Sequence, residues 1–219
     1  MNAALPLAIL FDMDGVLFHT APLHAEAYAQ VLAEAGLSMP DYAETLTGRR
    51  TEEVMRGLLL AADRPASEQA VRALVRAKQE RALAALIAAP PLAPQVGFVL
   101  ERLALRRRLG LVSSASRDSV AVFLASSGCG GLFEVVLTGD DVSRGKPSPD
   151  PYQLALLRLG VEAGAAVVVE DAPSGILAAR AAGIPVIGIT SGGLDRERLL
   201  ACGAVRVIDS LTELVDLYG

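Results

Sequence analysis

Tryptophan is absent from this chain of 219 residues, and aromatics make up only 4% of it. The 52% hydrophobic fraction is therefore mostly small and aliphatic, enough for a proper core and too much for disorder. Cysteine is nearly absent. Cys129 and Cys202 make no disulfide framework and lack metal-ligand spacing, so a reducing cytoplasm is the expected compartment. There is no basic surplus: Lys plus Arg is 20, Asp plus Glu is 25, and the net charge is −5. Such a chain carries no global field toward nucleic acid or an anionic membrane. Long apolar runs are missing too. Despite a mean hydropathy of +0.41, every stretch is broken well short of the roughly 20 residues a membrane span needs. The start, Met1-Asn2-Ala3-Ala4, lacks a basic region, and Pro6, Asp12 and Asp14 interrupt any secretory apolar core. Lysine is scarcest of the charged residues, with only Lys78 and Lys146.

What is present is alternation. At about 100–200 residues per domain, the length suits one domain, or one domain with a smaller insertion. Nearly continuous apolar runs at Leu7–Asp12, Leu109–Ser114, Val135–Thr138, Ala166–Glu170, Val186–Thr190 and Val205–Ile208 read as strands buried on both faces. Helical patterns lie between them, at about 94–107, 117–127, 150–160, 174–182 and 195–202. This predicts an α/β fold with a doubly wound parallel sheet. Residues 17–90 break the pattern. They hold no convincing strand and read as helices at Pro22–Ala35, Thr51–Ala62 and Ser67–Ala88, with Asp41, Thr51 and Ser67 as possible caps. The expected organisation is a Rossmann-like core from 1–16 and 91–219, with an inserted α-helical domain at 17–90.

Four pieces carry chemistry. In Phe11-Asp12-Met13-Asp14-Gly15 an apolar strand ends in two acids at i and i+2. Ligands of open α/β sheets bind beyond the carboxyl ends of strands, and paired carboxylates repel unless a cation or proton relieves them. Hard oxygen ligands without His or Cys suggest Mg²⁺. The same residues also make good turn chemistry. Val169-Glu170-Asp171-Ala172-Pro173 repeats the pattern at a second strand end, although Asp171 also suits a turn or helix cap. In Ser113-Ser114-Ala115-Ser116, hydroxyls stand between a strand and a helix, where phosphate oxygens bind, and where Ser116 or Asp118 also serve as plain caps. In Gly145-Lys146-Pro147 a lysine is held before a helix, as a charge for phosphate or carboxylate or as a solvated loop residue.

In this order, Asp12-Met13-Asp14-Gly15-Val16, Ser114, Lys146 and Glu170-Asp171 resemble the haloacid dehalogenase superfamily over essentially the whole chain. The helical insertion resembles that family's small cap domain. An acid at Asp14 points to phosphoryl chemistry, since dehalogenases proper lack it. Thr20-Ala21-Pro22-Leu23-His24 and Glu170–Ile176 resemble the branch of β-phosphoglucomutase and small sugar-phosphate phosphatases; His19 departs from the usual Asp or Asn.

The resemblance implies that Asp12 is the nucleophile and Asp14 the general acid and base. Ser114, Ala115 and Lys146 would hold phosphate. Mg²⁺ would be held by Asp12, the Asp14 carbonyl and Asp171, with Glu170 a ligand or adjacent. The insertion would choose the substrate through His24, Arg49 or Arg50, with Lys78 a weaker candidate. Arg106-Arg107-Arg108 reads as a structural run at a helix C-terminus. The expected activity is a Mg²⁺-dependent phosphatase of a small phosphorylated metabolite, acting as a monomer or weak homodimer. A phosphosugar mutase is the alternative. A non-enzymatic, receiver-like signalling domain is disfavoured by the helical insertion and by acids on the first strand.

Overall fold

A computed structural model describes residues 5–40 and 51–219. Its six strands are β1 (Ala8–Phe11), β2 (Arg108–Val112), β3 (Phe133–Leu137), β4 (Ala166–Glu170), β5 (Val186–Ile189) and β6 (Arg206–Ile208). They form one sheet in the order β3-β2-β1-β4-β5-β6, and every neighbouring pair is parallel. The chain steps outward from β1 through β2 to β3, then returns to the other side of β1 for β4, β5 and β6. That reversal makes the carboxyl ends of β2, β1 and β4 the expected binding crevice. All residues of β1 and β4 are buried, as continuous apolar strands should be when helices cover both faces.

The chain divides into two compact units, Met1–His19 with Pro90–Gly219, and Thr20–Ala89. In the first, the sheet is flanked by α4 (Val96–Ala104), α5 (Arg117–Ser127), α6 (Asp150–Leu159), α7 (Pro173–Ala181), α8 (Arg196–Cys202) and α9 (Glu213–Tyr218). Leu10, Val112, Val168, Tyr152, Ile176 and Leu199 belong to one continuous core. Cutting a fully buried residue such as Leu10 to Ala would cost about 2–5 kcal/mol. Residues 17–19 stay with the sheet unit, because Leu17 O accepts from Ala93 N at 3.0 Å and His19 N donates to Pro91 O at 2.7 Å. The second unit holds α1 (Ala21–Glu34), α2 (Thr51–Ala61) and α3 (Glu68–Ala88), which pack Tyr28, Val31, Leu32, Val54, Met55, Leu59 and Val71 together. Ser67 caps α3 by accepting from Ala70 N at 3.2 Å. Thr51 is itself helical, within α2, rather than its cap. Arg49, Arg50 and Asp41 lie outside the described residues.

Several expected boundaries shift. β1 ends at Phe11, so Asp12 and Asp14 lie past the strand, where the alternation of side chains between two sheet faces no longer sets their directions. Arg106–Arg108 follow α4 instead of ending it. Arg108 opens β2, grips Glu134 at 2.7 Å and donates to Leu159 O at 2.6 Å. The short α9 had no readable periodicity in its six residues. Among the described residues no helix is long and apolar enough to cross a membrane, and both cysteines are free.

Candidate active site

Parallel pairing brings Phe11 of β1 beside Leu111 of β2 and Val169 of β4. The residues just past each strand therefore meet at one edge. Asp12, buried there, receives Lys146 Nζ on Oδ1 at 2.6 Å. The same ammonium donates to Glu170 Oε1 at 2.7 Å and to Val112 O at 2.9 Å. Its three hydrogens are thus all committed. The Lys146 side chain is 4% exposed and lies 5.0 Å from the centre of the Tyr152 ring. Burial alone would lower the Lys146 pKa, but the carboxylates of Asp12 and Glu170 outweigh it and hold the ammonium well above the ordinary lysine value.

Glu170 and Asp171 are adjacent acids with different roles. Glu170 Oε1 accepts from Lys146 and, at 3.0 Å, from Tyr152 Oη. Its Oε2 accepts from the backbone N–H groups of Asp171 at 3.1 Å and Ala172 at 3.2 Å. These four donors fill the acceptor sites of one carboxylate. A Cβ at Gly175, in the first turn of α7, would run into that carboxylate. Among the described residues no hydrogen-bond donor reaches the Asp171 carboxylate, which is buried beside it.

The charges are unbalanced. Burial, then the nearby Glu170 and Asp14 carboxylates, push Asp12 up to about 8 against the opposing pull of Lys146. Burial, followed by Glu170 and Asp12, also raises Asp171 well above the ordinary range. Carboxyl oxygens of Asp12, Glu170 and Asp171 lie within 4.8 Å of one another. An all-oxygen set of crowded carboxylates, short of positive charge, fits a hard divalent cation. Glu170 belongs to that group by distance, but its lone pairs are taken, which leaves Asp12 Oδ2 and Asp171 as the available side-chain ligands. Asp14 is half-buried, and its side chain is outside the group.

Ser114 follows β2 and is exposed at the same sheet edge, whereas Ser113 is buried and its Oγ accepts from Ala115 N at 3.0 Å. The Ala115 N–H is therefore already bonded within the chain. Ser116 is a helix cap, accepting from Ser119 N at 3.4 Å. In the helical unit, His24 Nδ1 lies 3.0 Å from Lys78 Nζ, and Lys78 sits 4.8 Å from the centre of the Tyr28 ring. Sequence reasoning did not pair these two residues, which lie on different helices. It also missed Tyr152, which reads as one of the core apolar positions of α6 and gives no local sign of its hydroxyl's partner.

The chain belongs to the haloacid dehalogenase-like hydrolase family, whose model matches residues 9–189. Among curated relatives, it is 38% identical over 187 residues to validoxylamine A 7'-phosphate phosphatase of Streptomyces hygroscopicus subsp. limoneus, covering 83% of this chain and 84% of that one. It is 33% identical over 226 residues to phosphoglycolate phosphatase of Rhodospirillum rubrum, covering 98% and 92%. Among solved structures, CbbY from Rhodobacter sphaeroides in complex with phosphate matches with a TM-score of 0.80 at 31% identity, covering 96% of each chain. The chain is thus a hydrolase of this family, and both curated relatives carry the names of phosphatases.

Proposed function

We propose that this protein is a Mg²⁺-dependent phosphoric monoester hydrolase for a small phosphorylated metabolite, working through an aspartyl-phosphate on Asp12. The observation that carries this reading is the buried Lys146 bridge to Asp12 and Glu170, set beside an Asp171 carboxylate with no donor of its own. Relatives named for phosphatase activity support it.

A carboxylate oxygen of Asp12 attacks the phosphorus in line, while its other oxygen stays with the cation. The new O–P bond forms as the bond to the leaving alcohol oxygen breaks. Asp14 protonates that oxygen, then takes a proton from the water that attacks the phosphorus and frees inorganic phosphate and Asp12. Lys146 is fixed by its three bonds, so it acts through charge. It offsets the repulsion between Asp12 and an incoming phosphate. The Ser114 hydroxyl holds a phosphate oxygen, while the Ala115 N–H serves the turn that presents it. Asp12, Asp171 and the Asp14 backbone carbonyl would hold Mg²⁺, with Glu170 anchoring the turn behind them. When bound, the ion screens the crowded carboxylates and stabilises charge on the transferred group.

The test is a phosphate-release screen over phosphorylated metabolites, with and without Mg²⁺, run on the wild type and Asp12→Asn. Turnover that needs both Mg²⁺ and Asp12 supports the reading. Isomerisation of a sugar phosphate without net phosphate release would replace it with a mutase. Release by Asp12→Asn at the wild-type rate would remove the nucleophile.

A further inference from the structure

The turn that follows β5 carries none of the acids, yet it is built around one of them. Thr190–Gly192 form a single 3₁₀ turn at the carboxyl end of that strand. Ser191 Oγ donates to the Gly15 carbonyl oxygen at 2.7 Å, across 176 residues of chain. Gly192 lies against Asp171 so closely that a Cβ there would collide with Oδ2 and stand 2.5 Å from Cγ. Gly15, at φ +80°, makes the same approach: a Cβ on it would also strike Asp171 Oδ2 and would stand 3.2 Å from the Gly192 Cα. The Asp171 carboxylate therefore packs against two bare Cα atoms, one from the β1 loop and one from the β5 loop, and the Ser191 bond ties those loops together.

We propose that Ser191 and Gly192 are positioning residues for the cation site, holding both the Asp171 carboxylate and the Asp14–Gly15 backbone in place. The inference rests on the reading of Asp12, Asp171 and the Asp14 carbonyl as the holders of a divalent cation. The physical case has two parts. Glu170 is oriented by four hydrogen bonds, whereas Asp171 has no such donors and its rotamer is set by packing. Packing against backbone is stiff only while the backbone is anchored, and Ser191 is an anchor. The Asp14 carbonyl shares a planar peptide with the Gly15 N–H. That N–H donates to Phe18 O at 2.8 Å, and Ser191 fixes the following peptide. Both peptide groups flanking Gly15 are therefore held, and with them the direction of the Asp14 carbonyl. Partners that orient ligands in this way are worth about 10–100-fold in metal affinity.

The experiment is calorimetric titration of Mg²⁺ into the purified full chain, with thermal unfolding of the metal-free protein measured alongside. Ser191→Ala is expected to weaken Mg²⁺ binding about 10-fold or more while lowering the metal-free unfolding midpoint only by the few degrees that one hydrogen bond is worth. Exposed Ser191 leaves room for Ser191→Thr, which keeps the hydroxyl and should restore affinity. Saturating Mg²⁺ should return kcat in Ser191→Ala to near the wild-type value. Gly192→Ala, which puts a methyl into the Asp171 carboxylate, should lose Mg²⁺ binding. If it does not fold, the two Ser191 variants decide alone. Affinity in Ser191→Ala within about twofold of wild type, where a partner that orients a ligand is worth about tenfold or more, would overturn the clamp and leave the cation site standing. A wild type that binds no Mg²⁺ would overturn both.

Discussion

Lys146 Nζ stands 2.6 Å from Asp12 Oδ1, although the two residues are 134 positions apart in the chain, and both side chains are nearly inaccessible. A buried pair of this kind adds little stability over a well-packed apolar pair, but losing one member strands the other charge. In this protein the stranded group would be the proposed nucleophile.

Lys146→Met should therefore affect stability and turnover together. Two buried carboxylates lose their counter-charge, and the expected destabilisation is about 3–5 kcal/mol. Phosphate release should fall on the order of 10²–10³-fold or more, as when one charge-stabilising donor is removed. Urea unfolding and steady-state turnover check the two effects separately. A variant of unchanged stability would show that the ammonium is not held as described.

Neighbouring acids should respond in opposite ways. Glu170→Ala breaks four hydrogen bonds and is expected to destabilise the metal-free protein strongly. Asp171→Asn removes a buried carboxylate that burial, Glu170 and Asp12 already disfavour in its charged form. The metal-free melting temperature should rise, by about 2–4 °C for each kcal/mol relieved, while the upward shift produced by Mg²⁺ disappears. Differential scanning calorimetry with and without Mg²⁺ separates the two. Equal behaviour of the two variants would contradict the division of labour between anchor and ligand.

Chelation provides a simpler check. Treatment with EDTA should bring phosphate release to background, and added Mg²⁺ should restore it. Full activity in the presence of chelator would rule out a required divalent ion.

The helical unit makes a pH prediction through His24. Burial, then the charge of Lys78, lowers its pKa from 6.5 to about 3. Between those values the unfolded chain binds a proton that the native protein does not, so stability rises with pH across that window. This residue thus contributes a loss of stability as pH falls from 6.5 toward 3, and no pH dependence above that window. His24→Gln should flatten part of the decline in unfolding free energy over the window, measured by urea titration at several pH values. Identical slopes in the two proteins would mean that the ring is charged in the native state.

Much of this was legible in the sequence. Strands covered on both faces must be apolar through their length, so Ala166–Glu170 could be read to the residue, and the acids Glu170 and Asp171 at its end stood out as a break in pattern. Ser67 before a helical run announced its own cap. Boundaries at β1 were less legible, because an acid beyond a strand and an acid in its last position look alike in one dimension. Tyr152 and Ser191 gave no signal at all. A tyrosine at a core position and a serine in a turn are ordinary, and only their distant partners make them otherwise.

By itself, the sequence determined the alternation of buried strands with helices, the helical insertion between the first strand and the rest, and the presence of acids and a hydroxyl at strand ends and of a lysine held before a helix. Local periodicity and the chemistry of short motifs are enough for that. Tertiary structure alone decided which acid is spoken for and which is available. It placed β1 between β2 and β4, which let one lysine reach two carboxylates and two glycines wall in a third. Hydrogen bonds and close packing act over a few ångströms in space, so their partners are chosen by strand order and not by distance along the chain.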